Sequence, residues 1–209
     1  MADDIAPEFV HFIKEERQAR RLPALQGRLK EGDVLRAITV NSERATEFLR
    51  VAARRAAGFI LPTRHTEIVW VRGDSELAVS LVALNVKLAD GLIRVLMPVR
   101  CDQTGNAIIE IAFVVGTPTR PAGLYAATHR RPNGPPVIVN TWGESLIAFA
   151  WQCVLGMITG IAGASGKDAR GNVLVPVEVT ASAKGLQIVP MARHRFSSLN
   201  PHFPASSVR

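Results

Sequence analysis

Residues 145–164 form a run of about 20 residues without a single charged side chain, apolar on every side if wound into a helix. Such a helix has two possible homes. It is long enough to cross a bilayer, and Gly156-Met-Ile-Thr-Gly160 has the spacing that lets helices approach closely in membranes. Alternatively it is a core helix that the rest of the chain must enclose. Glu144, Gln152, the three glycines in its last turns and the strand-like segments on either side favour enclosure, so no membrane span is expected. Thr141-Trp142-Gly143-Glu144 has the spacing of a capping box, in which hydroxyl and carboxylate each satisfy a free backbone donor. The buried helix is therefore expected over about 144–162, after a short strand at 137–140, with its glycines allowing close contact with the sheet.

The enclosing sheet is legible on both sides of this helix. A strand is expected over 33–40, followed by an amphipathic helix over 42–57 that Asn41 or Ser42 caps and Gly58 and Pro62 end. From about residue 66 the hydrophobic period becomes two. Gly73-Asp74 turns into the run 76–88, whose most apolar face shifts from Leu77, Val79 and Leu81 to Val82, Leu84, Val86 and Leu88. A bulge near Leu81 or burial on both faces would produce that shift. Asp90-Gly91 is a hairpin turn into Ile93, Val95, Met97 and Val99, where Pro98 calls for a sheet edge or a bend. After Asp102-Gln103-Thr104-Gly105 the next inward face is Ile109, Ile111, Phe113 and Val115. Turns this short exclude crossovers and imply an antiparallel meander. Two further strands, with Val173, Val175, Val177 and Val179 in one and Leu186 to Met191 in the other, meet through Ala183-Lys184-Gly185.

The resulting fold class is α+β: a single domain over 1–209, with a curved antiparallel sheet packed on the long buried helix and two amphipathic helices nearer the N-terminus. The first of these, over 5–22, presents Phe9, Phe12 and Ile13 and lies in an N-terminal helical arm (1–30); residues 196–209 read as a loosely ordered tail. Hot-dog, helix-grip and lipocalin-like layouts all meet this description, and fold alone gives no function. At 209 residues and 47% hydrophobic content the chain can bury a core without disulfides. Its two cysteines, Cys101 and Cys153, read as small buried hydrophobes. The acidic start, Met1-Ala2-Asp3-Asp4, lacks the basic and apolar regions of a signal peptide, so a cytoplasmic location is expected.

Function is less legible. Gly160 to Asp168 resembles a phosphate loop only superficially: Ile161 and Asp168 stand where the motif needs glycine and Ser or Thr, and the loop follows a helix instead of preceding one. The five histidines lack metal-ligand spacing, no nucleophile elbow or carboxylate pair is evident, and neither a metal nor a cofactor is expected. The formal charge of +7 favours anionic partners. Two basic clusters, His129-Arg130-Arg131 and Arg193-His194-Arg195, would bind a carboxylate or phosphate through their guanidinium forks if they converge. The first expectation is thus a protein that binds a small, partly apolar anion in a cavity between sheet and helix. A nucleic-acid or assembly accessory protein using Arg44, Arg50 and Arg54, and a hot-dog-like acyl-thioester enzyme, are the alternatives. A homo-oligomer is among the expected states.

Overall fold

The computed structural model describes residues 37–59, 61, 64–119, 131–166 and 174–192. The order of elements is β1 (Ile38–Val40), α1 (Ser42–Ala56), β2 (Glu67–Arg72), β3 (Ser75–Ser80), β4 (Asn85–Ala89), β5 (Leu92–Cys101), β6 (Gly105–Val114), α2 (Pro136–Ala164), β7 (Leu174–Ser182) and β8 (Gly185–Ala192). The expected 5–22 helix and the 196–209 tail lie outside the described residues, as do positions 33–36 of the first strand.

The strands form two antiparallel sheets, and no barrel closes among the described residues. One sheet runs β2-β3-β5-β4 with β6 on the other edge of β5; the second runs β1-β8-β7. They meet at one corner. Gly91 donates to the Ala181 carbonyl, Gly116 donates to Val179, and Ala181 donates back to Gly116. Gly91 has φ +68° in the β4–β5 turn, a left-handed conformation that suits a residue without Cβ. Its carbonyl also accepts from Val115, so this turn ties the end of β6 to β7.

The meander folds as its period implies: Ile93, Val95, Met97, Val99, Ile109, Ile111, Phe113 and Val115 are all buried. The shift of face in 76–88 is a break between β3 and β4, which lie along the same edge of β5. Val79 is opposite Val99 and Asn85 is opposite Leu96, so five residues face two. Pro98 lies at that interruption, where its missing N–H is tolerated; the strand is central, not at an edge.

α1 starts on Asn41, whose side-chain Oδ1 accepts from the Arg44 amide at 2.8 Å. It lays Ala45, Leu49, Ala52 and Ala53 against the interior. α2 departs from expectation at its start. Residues 137–140 are helix, and the helix begins eight residues before Glu144, at Pro136. Pro136 occupies a first-turn position, where its fixed φ suits a helix and its missing N–H costs nothing. Thr141 to Glu144 is therefore helix interior, not a cap. Local β-branched residues favoured a strand, but Ile138, Trp142, Leu146, Phe149, Cys153, Met157 and Ile161 recur at three or four residues and are buried.

α2 is long and apolar enough to cross a membrane, yet 61% of its most apolar window is buried inside the fold. One apolar cluster joins it to α1 and both sheets. Its glycines do not serve the sheet. A Cβ on Gly156 would lie 2.9 Å from the Ala52 Cβ, and one on Gly160 would lie 3.3 Å from Phe48, so the small residues admit α1. Helix against helix is the close contact.

Candidate functional site

β2 is the outermost strand of its sheet, and its inward residues Ile68 and Trp70 are only half-buried because β3 flanks them on one side alone. α2 and the segment after α1 approach the open side. They leave a cleft of about 490 Å³ lined by Phe59, His65, Glu67, Ile68, Trp70 and Phe149, among others. Its walls are aromatic and ordered by their rings. Phe59 stacks on His65 with centroids 4.4 Å apart and planes at 12°. Trp70 meets Phe149 edge-on at 5.7 Å and Trp142 at 6.4 Å. These separations fall in the attractive range for aromatic quadrupoles.

A cation sits beside the aromatic wall. The guanidinium of Arg72, two residues along β2 and on the same face as Trp70, lies 5.4 Å from the Trp142 ring centroid. Its Nη1 donates to the Thr141 carbonyl at 2.6 Å, which uses one of five donors and aims the planar group. Glu67 points the other way in part, lying 3.7 Å from Arg100 on the outer side of the sheet. The chemistry on offer is an aromatic wall with a guanidinium next to it, suited to a ligand with an apolar body and a carboxylate or phosphate.

Among the residues expected to bind an anion, Arg131 is exposed at the approach to Asn133, whose backbone bridges to Glu110 of β6. His129, Arg130, Arg193, His194 and Arg195 lie outside the described residues. The arginines of α1 are held against the body in different ways. Arg44 is exposed, pairs with Glu47 and lies over Phe48. Arg50 is half-buried and donates from Nε to the Leu84 carbonyl at 2.9 Å, while the Nε of Arg54 is buried without a hydrogen-bond partner.

Both cysteines are free and buried. Burial pushes the Cys153 thiol well above its ordinary range, so it holds its proton and is a poor nucleophile. Cys101 donates from Sγ to the Asp102 carboxylate at 3.2 Å. Among the described residues no group of three or more His, Cys, Asp or Glu side chains is placed to hold a metal.

The interior between α2 and the sheets is filled by apolar side chains, among them Leu77, Met97, Phe113, Ile138, Leu146 and Met157. Among the described residues a cleft lies at the sheet's edge. Sequence reasoning put Trp70 and Arg72 on one strand face but did not join them to Phe59, His65, Trp142 and Phe149. A signal existed in the composition. The chain has three tryptophans, and two of them meet here. No protein-family model, curated protein or solved structure matches the chain.

Proposed function

We propose that this protein binds a small, partly apolar anion in the cleft between β2 and α2. The observation that carries the reading is the half-exposed Trp70 set among Phe149, Trp142 and Phe59 with the Arg72 guanidinium alongside. Aromatic side chains left partly open to water form an incomplete apolar surface, and a ligand that covers them removes that surface from solvent. The cleft's volume, about 490 Å³, falls within the span common for small-molecule sites. Arg72 supplies the charge-assisted hydrogen bonds that select an anion over a neutral analogue.

Native mass spectrometry of protein purified without added ligand, followed by titration with aromatic and medium-chain carboxylates, tests the proposal. Tryptophan emission is a direct reporter. Trp70 lines the cleft, Trp142 packs against Trp70, and Trp151 packs against Phe113 in the core as an internal reference. Trp70→Ala is expected to weaken binding by about 10-fold or more, the equivalent of one buried aromatic contact, and Trp70→Phe to restore most of it. Arg72→Ala should flatten the preference for carboxylate over the matching amide. Carboxylate binding that ignores both substitutions would overturn the assignment. So would binding only to DNA, with the steep salt dependence of phosphate contacts.

A further inference from the structure

β2 leaves one edge of its sheet open. Among the described residues it pairs with β3 alone, whereas β6 is bridged at Glu110, which exchanges backbone bonds with Asn133, and β4 gives its Val86 amide to Thr46 of α1. β2 also lacks the devices that usually keep an open edge from pairing. Between Glu67 and Arg72 the run Ile-Val-Trp-Val has no charge and no proline, and its register with β3 is unbroken by any bulge.

The ladder fixes which backbone groups face outward. Leu81 donates to the Thr66 carbonyl at 2.7 Å, and this pair continues the register in which Glu67 is opposite Ser80. Bonded and non-bonded pairs alternate in an antiparallel ladder, so Thr66, Ile68, Trp70 and Arg72 bond to β3. Glu67, Val69 and Val71 therefore turn their N–H and C=O groups to the open side, at two-residue spacing. The cleft opens onto this edge. Residues 67–70 line it consecutively, although only Ile68 and Trp70 have side chains on the inner face, so Glu67 and Val69 border it along the strand. Arg72 stands at the strand's end, exposed and with no carboxylate partner among the described residues.

These features select one kind of ligand. Backbone donors and acceptors at two-residue spacing are matched by an extended peptide and not by a compact small molecule. A cleft under alternate positions accepts every second side chain, and a guanidinium at the end accepts a terminal carboxylate through charge-assisted hydrogen bonds. We propose, building on the reading of the cleft as an anion site, that its ligand is the C-terminal segment of a polypeptide, added to β2 as a further strand with its carboxylate at Arg72 and alternate apolar side chains over Ile68 and Trp70. Because Arg72 ends β2, the added strand runs parallel to it. Glu67 to Arg72 spans about 17 Å, room for about five residues.

Titration and amide hydrogen exchange on the full chain test this, with the acetylated pentapeptide Ala-Val-Ala-Val-Phe as probe and N-acetylphenylalanine as the small anion bearing the same end group. In the free protein the Glu67, Val69 and Val71 amides are expected to exchange at least ~100-fold faster than those of Ile68 and Trp70, and to become protected when the pentapeptide binds. The pentapeptide should bind at least ~100-fold more tightly than N-acetylphenylalanine, since each backbone hydrogen bond contributes about 5-fold. Methylating its amide nitrogens one at a time should weaken binding about 10-fold at alternate positions and little between them. Replacing its carboxylate by an amide should also weaken it, and this loss should vanish in Arg72→Ala. If N-acetylphenylalanine binds but the longer peptide gains nothing, or the N-methyl effects do not alternate, strand addition is overturned while the cleft remains an anion site. No binding by either carboxylate removes both readings. Glu67, Val69 and Val71 amides already protected in the free protein would mean that another segment of the chain or a second copy fills the edge, and that too overturns the proposal.

Discussion

Gly156→Ala tests the packing of the two helices, because one methyl group is set against a known gap. The added Cβ would lie 2.9 Å from the Ala52 Cβ and 3.6 Å from its Cα. Carbon atoms prefer about 3.5–4.0 Å, so α1 and α2 must separate by several tenths of an ångström. Alanine is worth about 1 kcal/mol over glycine inside a helix, whereas overpacking a tight contact costs about 1–3 kcal/mol. The backbone of Ala52 cannot swing aside as a long side chain would. The expected net is a loss of about 1 kcal/mol, or ~2–4 °C in Tm for a chain of this size. Gly163 supplies the control within the same helix, since nothing lies within 4 Å of a Cβ there. Gly163→Ala should stabilise by up to about 1 kcal/mol, less if the last turn frays. Urea unfolding of Gly156→Ala, Ala52→Gly and the Ala52→Gly/Gly156→Ala double variant gives the double-mutant cycle, in which the clash appears as a coupling of roughly 1 kcal/mol. If Gly156→Ala is as stable as Gly163→Ala and the cycle shows no coupling, the helices do not meet at these residues and the packing described above is wrong.

Two further outcomes follow from buried polar and titratable groups. Thr46 is buried, donates from Oγ1 to the Asn85 side chain at 2.9 Å and accepts from the Val86 amide at 3.0 Å, fastening α1 to the start of β4. Thr46→Val keeps the shape and removes both bonds; because Val86 also donates to Asn85 at 2.7 Å, the loss should be about 1–2 kcal/mol in urea unfolding, and a neutral result would contradict this role. Cys153 is protonated in the fold at pH values where the unfolded chain, with a thiol of ordinary value 9.0, has lost its proton. Its contribution is therefore intact below about pH 9 and falls above it, by up to about 1.4 kcal/mol per pH unit. The stability difference between wild type and Cys153→Val should change with that slope above pH 9 and be flat below it, and a pH-independent difference would refute the assignment.

How much of this was legible depended on whether a signal was local. The strands from Glu67 to Val114 were, because burial on one face imposes a period of two and turns such as Gly73-Asp74 and Asp90-Gly91 punctuate it. The face change in 76–88 pointed to a bulge near Leu81 or burial on both faces, where the structure has a break at residues 81–84, and Asn41 or Ser42 marked the start of α1. What the glycines of α2 touch was not local: Gly156 and Gly160 announced a close approach but not whether a sheet or a helix would make it. The cleft was least legible, since Phe59, Trp70, Trp142 and Phe149 come from three parts of the chain and none belongs to a motif. Of the basic clusters expected to form the site, Arg131 is exposed, and the other five positions lie outside the described residues.

The helix start misread from the sequence is also the stretch that meets Trp70 and Arg72. Val137-Ile138-Val139 is a β-branched run, disfavoured in a helix by a few tenths of a kcal/mol per residue. Against that, burying Ile138, Val139 and Trp142 contributes about 1.5–3 kcal/mol for each large apolar side chain. Tertiary burial outweighs local preference several-fold, and Pro136 supplies a first turn that needs no donor. The consequence is geometric. Starting at Pro136 instead of Glu144 lengthens α2 by about two turns, roughly 12 Å. Those turns carry Trp142 to Trp70 and place the Thr141 carbonyl where Arg72 donates to it. A helix that began at the expected capping box would leave Arg72 without its acceptor and Trp70 with Phe149 alone. The conflict between local propensity and fold falls where Trp142 meets Trp70 and the Thr141 carbonyl accepts from Arg72, the two features on which the proposed binding site rests.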